Sequence, residues 1–111
     1  MLNIKDFKKD NQPPFDLTEE DYVSAETLIG KVIDISGIID FENDKGPGVY
    51  LLFAFPGEDT KHYTTTHAGG ILRTLDNADL RSLIENGEVL EATVNRRPSK
   101  KDKNKTVWEL I

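Results

Sequence analysis

Cationic side chains are concentrated at one end of this sequence, in the stretch NRRPSKKDKNKTVWELI that closes it. From residue 96 onward six Lys or Arg face only two acids, although the formal net charge of the chain is −6. Such a cluster can bind a polyanion, because Lys and Arg donate charge-assisted hydrogen bonds to phosphate oxygens. Residues 1–44 carry eleven acids against four bases, so we expect a polyanion to be held on one side of the protein only.

Aromatic rings at regular positions supply a second kind of chemistry. Tyr50 falls out of phase with the apolar side chains around it, and Tyr63 alternates in phase with Lys61, so both rings are expected on a solvent-facing side. Trp108 follows the basic run, although a tryptophan is more often part of a core. Rings beside cations are the ingredients of a groove that holds an unpaired polynucleotide by stacking and charge. The candidate nucleic-acid-binding residues are Lys31, Lys45, Tyr50, Lys61, Tyr63, Arg96, Arg97, Lys100, Lys101, Lys103, Lys105 and Trp108.

Other chemistries find no support in the sequence. There is no cysteine, which excludes a disulfide framework, a thiolate metal site and a thiol nucleophile. His62 and His67 have no third ligand near them in the sequence, so we expect no metal site. Because we find no spaced carboxylate pair, nucleophile elbow or phosphate-cradling glycine loop, we expect a non-enzymatic protein without a cofactor.

The length of 111 residues fits one domain with a modest core. Residues 1–22 are expected to form an N-terminal arm, since Pro13 and Pro14 exclude a helix there, with one short turn near residues 19–23. Residues 23–111 form the predicted domain. The sequence starts without an apolar signal segment and has no run long enough to cross a bilayer, so the expected location is the cytoplasm, with no membrane partner.

The first predicted strand begins near residue 28, where apolar side chains fall on alternate positions. Gly30 and Gly37 interrupt it, and a glycine inside a strand is typical of a bulge or a tight bend. We therefore predict a strongly bent strand. Its period of two predicts that the following odd-numbered side chains face the core: Ile29, Ile33, Ile35, Ile39 and Phe41.

Four more strands are predicted by β-branched and aromatic residues. Residues 49–55 and 61–67 form a hairpin in this interpretation, with the odd positions of the first strand towards the core. Residues 90–95 and 106–111 form the last two strands. The basic run therefore becomes the tip of the hairpin between them.

A helical spacing of apolar residues separates the third strand from the fourth, over residues 68–86. Asp76 or Asn77 can cap a second helix in this segment, and Asn86-Gly87 can end it. A mainly β chain with three strands, a helix and two strands has the element order of the OB-fold, a five-stranded Greek-key barrel. In that fold oligonucleotides bind to strands two and three and to the loops after strands one and four. Other small β-barrels share much of this order.

The segments LIGKVIDISG (28–37) and YTTTH (63–67), with an aromatic second strand between them and a helix after them, resemble OB-fold single-stranded DNA-binding proteins. The resemblance extends from residue 26 to residue 111 and is strongest to the short forms carried by bacteriophages. It implies sequence-independent binding of single-stranded DNA, in contact with replication or recombination proteins. Cellular members of that family end in an acidic tail with a terminal Phe that recruits partners, whereas this chain ends in a predicted strand, so recruitment through such a tail is not implied.

Simpler interpretations stay open beside this one. A lysine-rich hairpin tip is often only a solvated loop that keeps sheet edges apart. The alternative function is a non-enzymatic protein-interaction module on a small β-barrel, whose acidic front and basic tip contact another protein without nucleic acid. The sequence specifies neither a preference for DNA over RNA nor assembly into a homo-oligomer.

Overall fold

The computed structural model of the protein describes residues 17–111 and contains one five-stranded antiparallel sheet with two short helices. The strands are β1 (Val32–Asn43), β2 (Gly46–Ala54), β3 (His62–Thr66), β4 (Leu90–Pro98) and β5 (Thr106–Leu110). The helices are α1 (Gly69–Leu75) and α2 (Ala78–Glu85), and both lie between β3 and β4 in the chain. The predicted mainly β class, the five strands and the helical segment between the third and fourth strands are confirmed.

The sheet has the strand order β3-β2-β1-β4-β5, with β1 at its centre. The first four residues of β1 pair with β4, while β2 runs beside nearly the whole length of β1. The β1–β2 turn and the β4–β5 tip therefore lie at opposite ends of β1. This arrangement leaves β3 and β5 as the two edges of the sheet.

A β-bulge at Ser36 divides β1 into two halves, and the odd-numbered side chains point to opposite sides of the sheet before and after it. Ile35 pairs with Phe53 but Gly37 pairs with Leu52, so the residue between them on β1 has no pairing partner on β2. An inserted residue of this kind reverses the alternation of side chains beyond it. Of the bulge or bend predicted at Gly37, the bulge is confirmed, one residue before it.

The same bulge corrects the predicted orientation of the second half of β1. Ile33 and Ile35 are buried as predicted, whereas Ile39 is 40% exposed and Phe41 lies outside the core cluster. Ile38 packs against the core in their place. The prediction for Ile39 and Phe41 was wrong because strict alternation was carried across the extra residue.

The core lies on the inner side of the sheet, beneath the two helices. As predicted, Val49, Leu51 and Phe53 are buried on one side of β2, and Phe55 packs against them. Burying each such side chain contributes about 1.5–3 kcal/mol, so this cluster is the main source of stability. The rest of the core comes from Leu28, Ile33, Ile35, Ile71, Leu75, Ile84, Ala92 and Val94.

Helix α2 is fixed at its start and along one side by polar contacts. The side chain of Asn77 accepts a hydrogen bond from the Leu80 amide at 3.1 Å, which confirms one of the two predicted caps. Arg81 donates to both carboxylate oxygens of Asp40, and its Nε donates to the Leu75 carbonyl at 2.8 Å. The bond to Asp40 raises the pKa of Arg81, and this contact holds α2 against β1.

The chain before β1 packs along the free edge of β3. Thr18 donates from its amide and its hydroxyl to the Asp21 carboxylate, and a 3₁₀ turn spans Glu19–Asp21, close to the predicted turn. Tyr22 then forms a parallel bridge with Tyr63. The predicted arm of residues 1–22 falls mostly outside the described residues, and its last residues contact the sheet.

No helix among residues 17–111 combines the length and the apolar character that crossing a membrane requires.

Candidate nucleic-acid interface

Four aromatic rings form a row across the outer side of the sheet, opposite the core. Tyr50 lies 4.8 Å from Phe41 and 6.4 Å from Tyr63, and Tyr63 lies 5.4 Å from Tyr22, measured between ring centroids. We call these four residues the ring row. The row crosses β1, β2 and β3 and continues onto the segment that precedes β1.

The outward direction of the row follows from strand alternation and the bulge. Tyr50 lies between Val49 and Leu51, which are both buried on the inner side. Ile39 is the residue opposite Tyr50 on β1, so it shares this outer side and is 40% exposed. Tyr22 is 44% exposed, and Tyr50 and Phe41 are half-buried. Aromatic surface is thus accessible along the row, as base stacking requires.

Tyr63 does not have the exposure that the sequence suggested. It lies on the outer side with Tyr50, but only 6% of it is exposed because the Tyr22 ring covers it. The Tyr63 carbonyl also accepts a hydrogen bond from the Val23 amide at 2.9 Å. Its role as a freely exposed stacking ring is therefore corrected: Tyr63 supports Tyr22 and Tyr50 from below.

Gly48 leaves space for the ring at the end of the ring row that is next to the β1–β2 turn. A Cβ atom at this position would lie 2.6 Å from Phe41 Cζ and 2.9 Å from His67 Nδ1, so both rings use the space that a side chain would fill. His67 Nδ1 also lies 2.9 Å from the Pro47 carbonyl, and its ring meets Phe41 edge-on at 5.2 Å. The turn, the glycine and the two rings form one packed unit.

Two of the predicted lysines flank the row. Lys45 is exposed in the β1–β2 turn, where its amide donates to Asn43 Oδ1 at 2.9 Å. Lys61 is exposed one residue before β3, and alternation places it on the side of Tyr63. These two cations lie beyond opposite ends of the ring row.

Lys31 is separate from the row. Its ammonium lies 5.7 Å from the centroid of the Phe55 ring, at the start of β1. Phe55 is one of the odd-numbered residues after Val49 whose side chains face the core, and its ring packs against Phe53 and His62. Lys31 is accordingly a cation at the rim of the inner side.

Arg97 is already neutralised at the root of the β4–β5 hairpin. Its Nε lies 3.1 Å from Glu109 Oε2, and Asn95 donates to Glu109 Oε1 at 2.8 Å. These two side-chain bonds, first from Asn95 and then from Arg97, lower the pKa of Glu109. A carboxylate therefore already pairs with the Arg97 guanidinium, and the predicted contact of Arg97 with a phosphate stays a prediction.

Trp108 faces inward, and Arg96 lies over it. Trp108 packs against the core from β5, and the Arg96 guanidinium carbon is 5.7 Å from the centroid of its ring. The Trp108 carbonyl is also the atom that Gly70 of α1 approaches. Trp108 is therefore partly buried against the core, and its assignment as a stacking ring stays a prediction. Arg96 itself is exposed.

The hairpin tip presents four exposed cations: Lys100, Lys101, Lys103 and Lys105. The turn satisfies its own backbone, since Ser99 N donates to Lys105 O at 2.8 Å and Lys105 N donates to Asp102 O at 3.0 Å. The tip leaves the sheet beyond the start of β1. Along the direction of β1, the ring row thus lies between this tip and Lys45.

Comparison with protein-family models, with curated proteins and with solved structures gives no match for this chain. The resemblance to single-stranded DNA-binding proteins stays a prediction, and function has to be inferred from the geometry of the site.

Sequence reasoning missed three rings of this surface: Tyr22, Phe41 and His67. Gly37 was a signal for Phe41, because a bulge beside it implies that the following residues change sides. Gly48 was a signal for His67 and Phe41, since a glycine in a strand often marks a close approach by another group. Tyr22 carried no local signal, because it reaches the sheet only through the tertiary bridge to Tyr63.

Proposed function

We propose that this protein is an OB-fold binder of single-stranded DNA that acts without reading sequence. The strand order is that of a five-stranded barrel opened between β3 and β5. The bulged first strand that pairs with both β2 and β4, and the helical segment between β3 and β4, fit the same Greek-key barrel. In this fold the outer side of strands two and three is the usual surface for oligonucleotides.

The observation that carries the proposal is the ring row on the outer side of β1, β2 and β3. Phe41 and Tyr50 keep accessible surface beside each other, and Tyr22 does so beyond Tyr63. Large aromatic side chains usually bury most of their surface. Each base stacked on such a ring is worth about 1–3 kcal/mol, whatever its identity. A row of rings therefore favours affinity without sequence preference.

Charge supports the same surface. Lys45 lies beyond one end of β1 and the hairpin tip beyond the other, so a strand laid along β1 over the ring row can contact both. The exposed cations along that path are Lys45, Lys61 and the four lysines of the tip. Because the protein is acidic elsewhere, a duplex that cannot stack its bases has little to offset the repulsion. We place the activity in replication or recombination, in the setting of a phage or mobile element.

The proposal is tested by fluorescence anisotropy with a labelled oligo(dT) and with a duplex of the same length, at low salt. Tyr50→Ala and Phe41→Ala remove accessible rings, and each should weaken binding about 5- to 150-fold, the equivalent of 1–3 kcal/mol. Leu83→Ala is the matched control, since Leu83 is 53% exposed but lies on α2, away from the ring row. Circular dichroism on every variant confirms that the fold is retained.

Two outcomes would contradict the proposal. Unchanged affinity in both ring variants would remove the ring row as the binding surface. No binding of oligo(dT) to the wild-type protein at low salt would remove the function and favour a protein-interaction module instead.

A further inference from the structure

An apolar groove lies at the end of α2, where the chain turns into β4. It has a volume of about 370 Å³ and is lined by Leu80, Leu83, Ile84, Glu88, Val89 and Leu90. We call it the α2 groove. It is formed within one segment of the chain, because Gly87 has a φ of +97° and folds residues 88–90 back beside the helix.

Two walls of the α2 groove expose apolar surface to an unusual degree. Leu83 is 53% exposed and Val89 is 52% exposed, and they are among the most exposed large apolar residues of the described chain. Single exposed apolar side chains are ordinary, but neighbours that line one concavity mark a binding surface. The floor of the groove is Ile84, which is buried in the core.

The rim of the α2 groove carries one acid, Glu88. Asp79, Glu85 and Glu91 are exposed elsewhere on the same segment, residues 78–91, and add to its negative charge. The single base of this segment, Arg81, is directed away from the groove to Asp40. The field at the groove therefore favours a cationic partner and repels nucleic acid.

We propose that the α2 groove binds a short segment of a partner protein that carries apolar side chains flanked by Lys or Arg. A groove of this size accepts a few side chains, as when an amphipathic segment lays its apolar side into a partner. A symmetric contact with a second copy would bring two acidic segments together. The basic tip of a second copy has the charge but no apolar side chain between Ser99 and Lys105.

The α2 groove and the ring row are on different sides of the sheet. Ile84 belongs to the core cluster on the inner side, whereas Tyr50 and Phe41 lie on the outer side. A partner in the groove leaves the ring row accessible. The inference does not depend on DNA binding and would stand if the proposed function failed.

The test is selection of a displayed library of random peptides of about twelve residues on the intact protein, a length that spans such a groove. The same library is selected in parallel on the double variant Leu83→Ser/Val89→Ser. Val32→Ser/Ile111→Ser is the matched control, because these residues are 38% and 69% exposed and lie outside the groove. Enriched peptides are then synthesised and titrated by anisotropy, and sedimentation equilibrium measures self-association of each variant.

We expect peptides that combine Leu, Ile or Phe with flanking Lys or Arg, and that bind the groove variant at least tenfold more weakly than the wild type and the control. Glu88→Lys should weaken the same peptides, because Glu88 lines the groove, while Glu58→Lys should not. Selected peptides without basic residues, or peptides that bind the groove variant unchanged, would overturn the proposal. A self-association that only the groove variant loses would also overturn it, since the occupant would then be a second copy.

Discussion

Tyr50 and Tyr63 are neighbours on the outer side of the sheet but have different physical roles. Tyr50 is half-buried between Phe41 and Tyr63, so a base can still reach part of its ring. Tyr63 is 6% exposed, and the ring of Tyr22 packs on it. Under the proposed function we therefore expect Tyr50 to act mainly in binding, whereas Tyr63 acts mainly in stability.

This difference predicts that Tyr63→Ala lowers the free energy of unfolding by about 3 kcal/mol, as for other buried aromatic residues. Tyr50→Ala should lower the free energy of unfolding by about 1 kcal/mol, because the Tyr50 ring is partly exposed to solvent and its removal loses less buried apolar surface. Urea denaturation of the two variants measures both values. Equal losses in the two variants would show that the covering ring of Tyr22 contributes nothing to the fold.

Glu109 makes the root of the β4–β5 hairpin sensitive to acid. Its pKa is lowered in the folded protein by the bonds from Asn95 and Arg97, so its contribution to stability is complete above the ordinary glutamate pKa of about 4.3. That contribution is lost as the pH falls through the lowered value. Glu109→Gln keeps the shape of the side chain and removes the titration.

We predict that the stability difference between the wild type and Glu109→Gln is constant at neutral pH and shrinks as the pH falls below about 4.3. Urea midpoints between neutral and strongly acidic pH measure this difference. Curves that stay parallel down to the most acidic condition would mean that the carboxylate gains nothing from Asn95 and Arg97.

At the scale of elements, α1 is seated on β5 through one glycine. A Cβ atom at Gly70 would lie 2.1 Å from the Trp108 carbonyl oxygen, which belongs to the backbone and cannot rotate away. At the adjacent Gly69 the nearest atom is the flexible end of Arg73, at 3.6 Å. The two glycines thus offer a matched pair.

Gly70→Ala should lower the free energy of unfolding by at least about 2 kcal/mol, because the helix must move off the strand. Gly69→Ala should leave it unchanged or raise it slightly, since alanine favours helix over glycine by about 1 kcal/mol. Thermal melts of both variants measure the effect. Similar melting temperatures would contradict the close approach of α1 to β5.

The elements were predictable from the sequence to the extent that their signals are local. Asn77 capped its helix as expected because a cap depends only on the next few residues. The alternation in β2 placed Leu51 and Phe53 correctly, since no bulge lies within that strand. Phe41 could not be placed by counting, because the extra residue at Ser36 reverses the sides beyond it. Tyr63 could not be placed either, since what covers it comes from a distant part of the chain.

At the scale of the whole molecule, binding of single-stranded DNA should depend strongly on salt. With about four to six phosphates neutralised, the logarithm of the affinity should fall against the logarithm of salt concentration with a slope of about −3 to −4. Lys100→Gln should reduce the magnitude of that slope by about 0.7, the value of one lost contact. Arg97→Gln should change it little, because Glu109 already neutralises Arg97.

Titrations at several salt concentrations measure these slopes for the wild type and both variants. A slope near zero would mean that stacking alone holds the strand. An effect of Arg97→Gln as large as that of Lys100→Gln would mean that the ion pair with Glu109 opens when DNA binds.

Because of the bulge at Ser36, we expect the odd-numbered positions of β1 to tolerate different substitutions before and after it. Before the bulge, the odd-numbered side chains of β1 pack in the core, so substitutions there should be limited to aliphatic side chains of similar size. Downstream the odd-numbered positions lie on the outer side, where the exposed Ile39 is less constrained than Phe41, whose ring packs against Gly48 and His67. A designer wishing to retarget this scaffold would therefore randomise position 39 first and leave positions 33 and 35 unchanged.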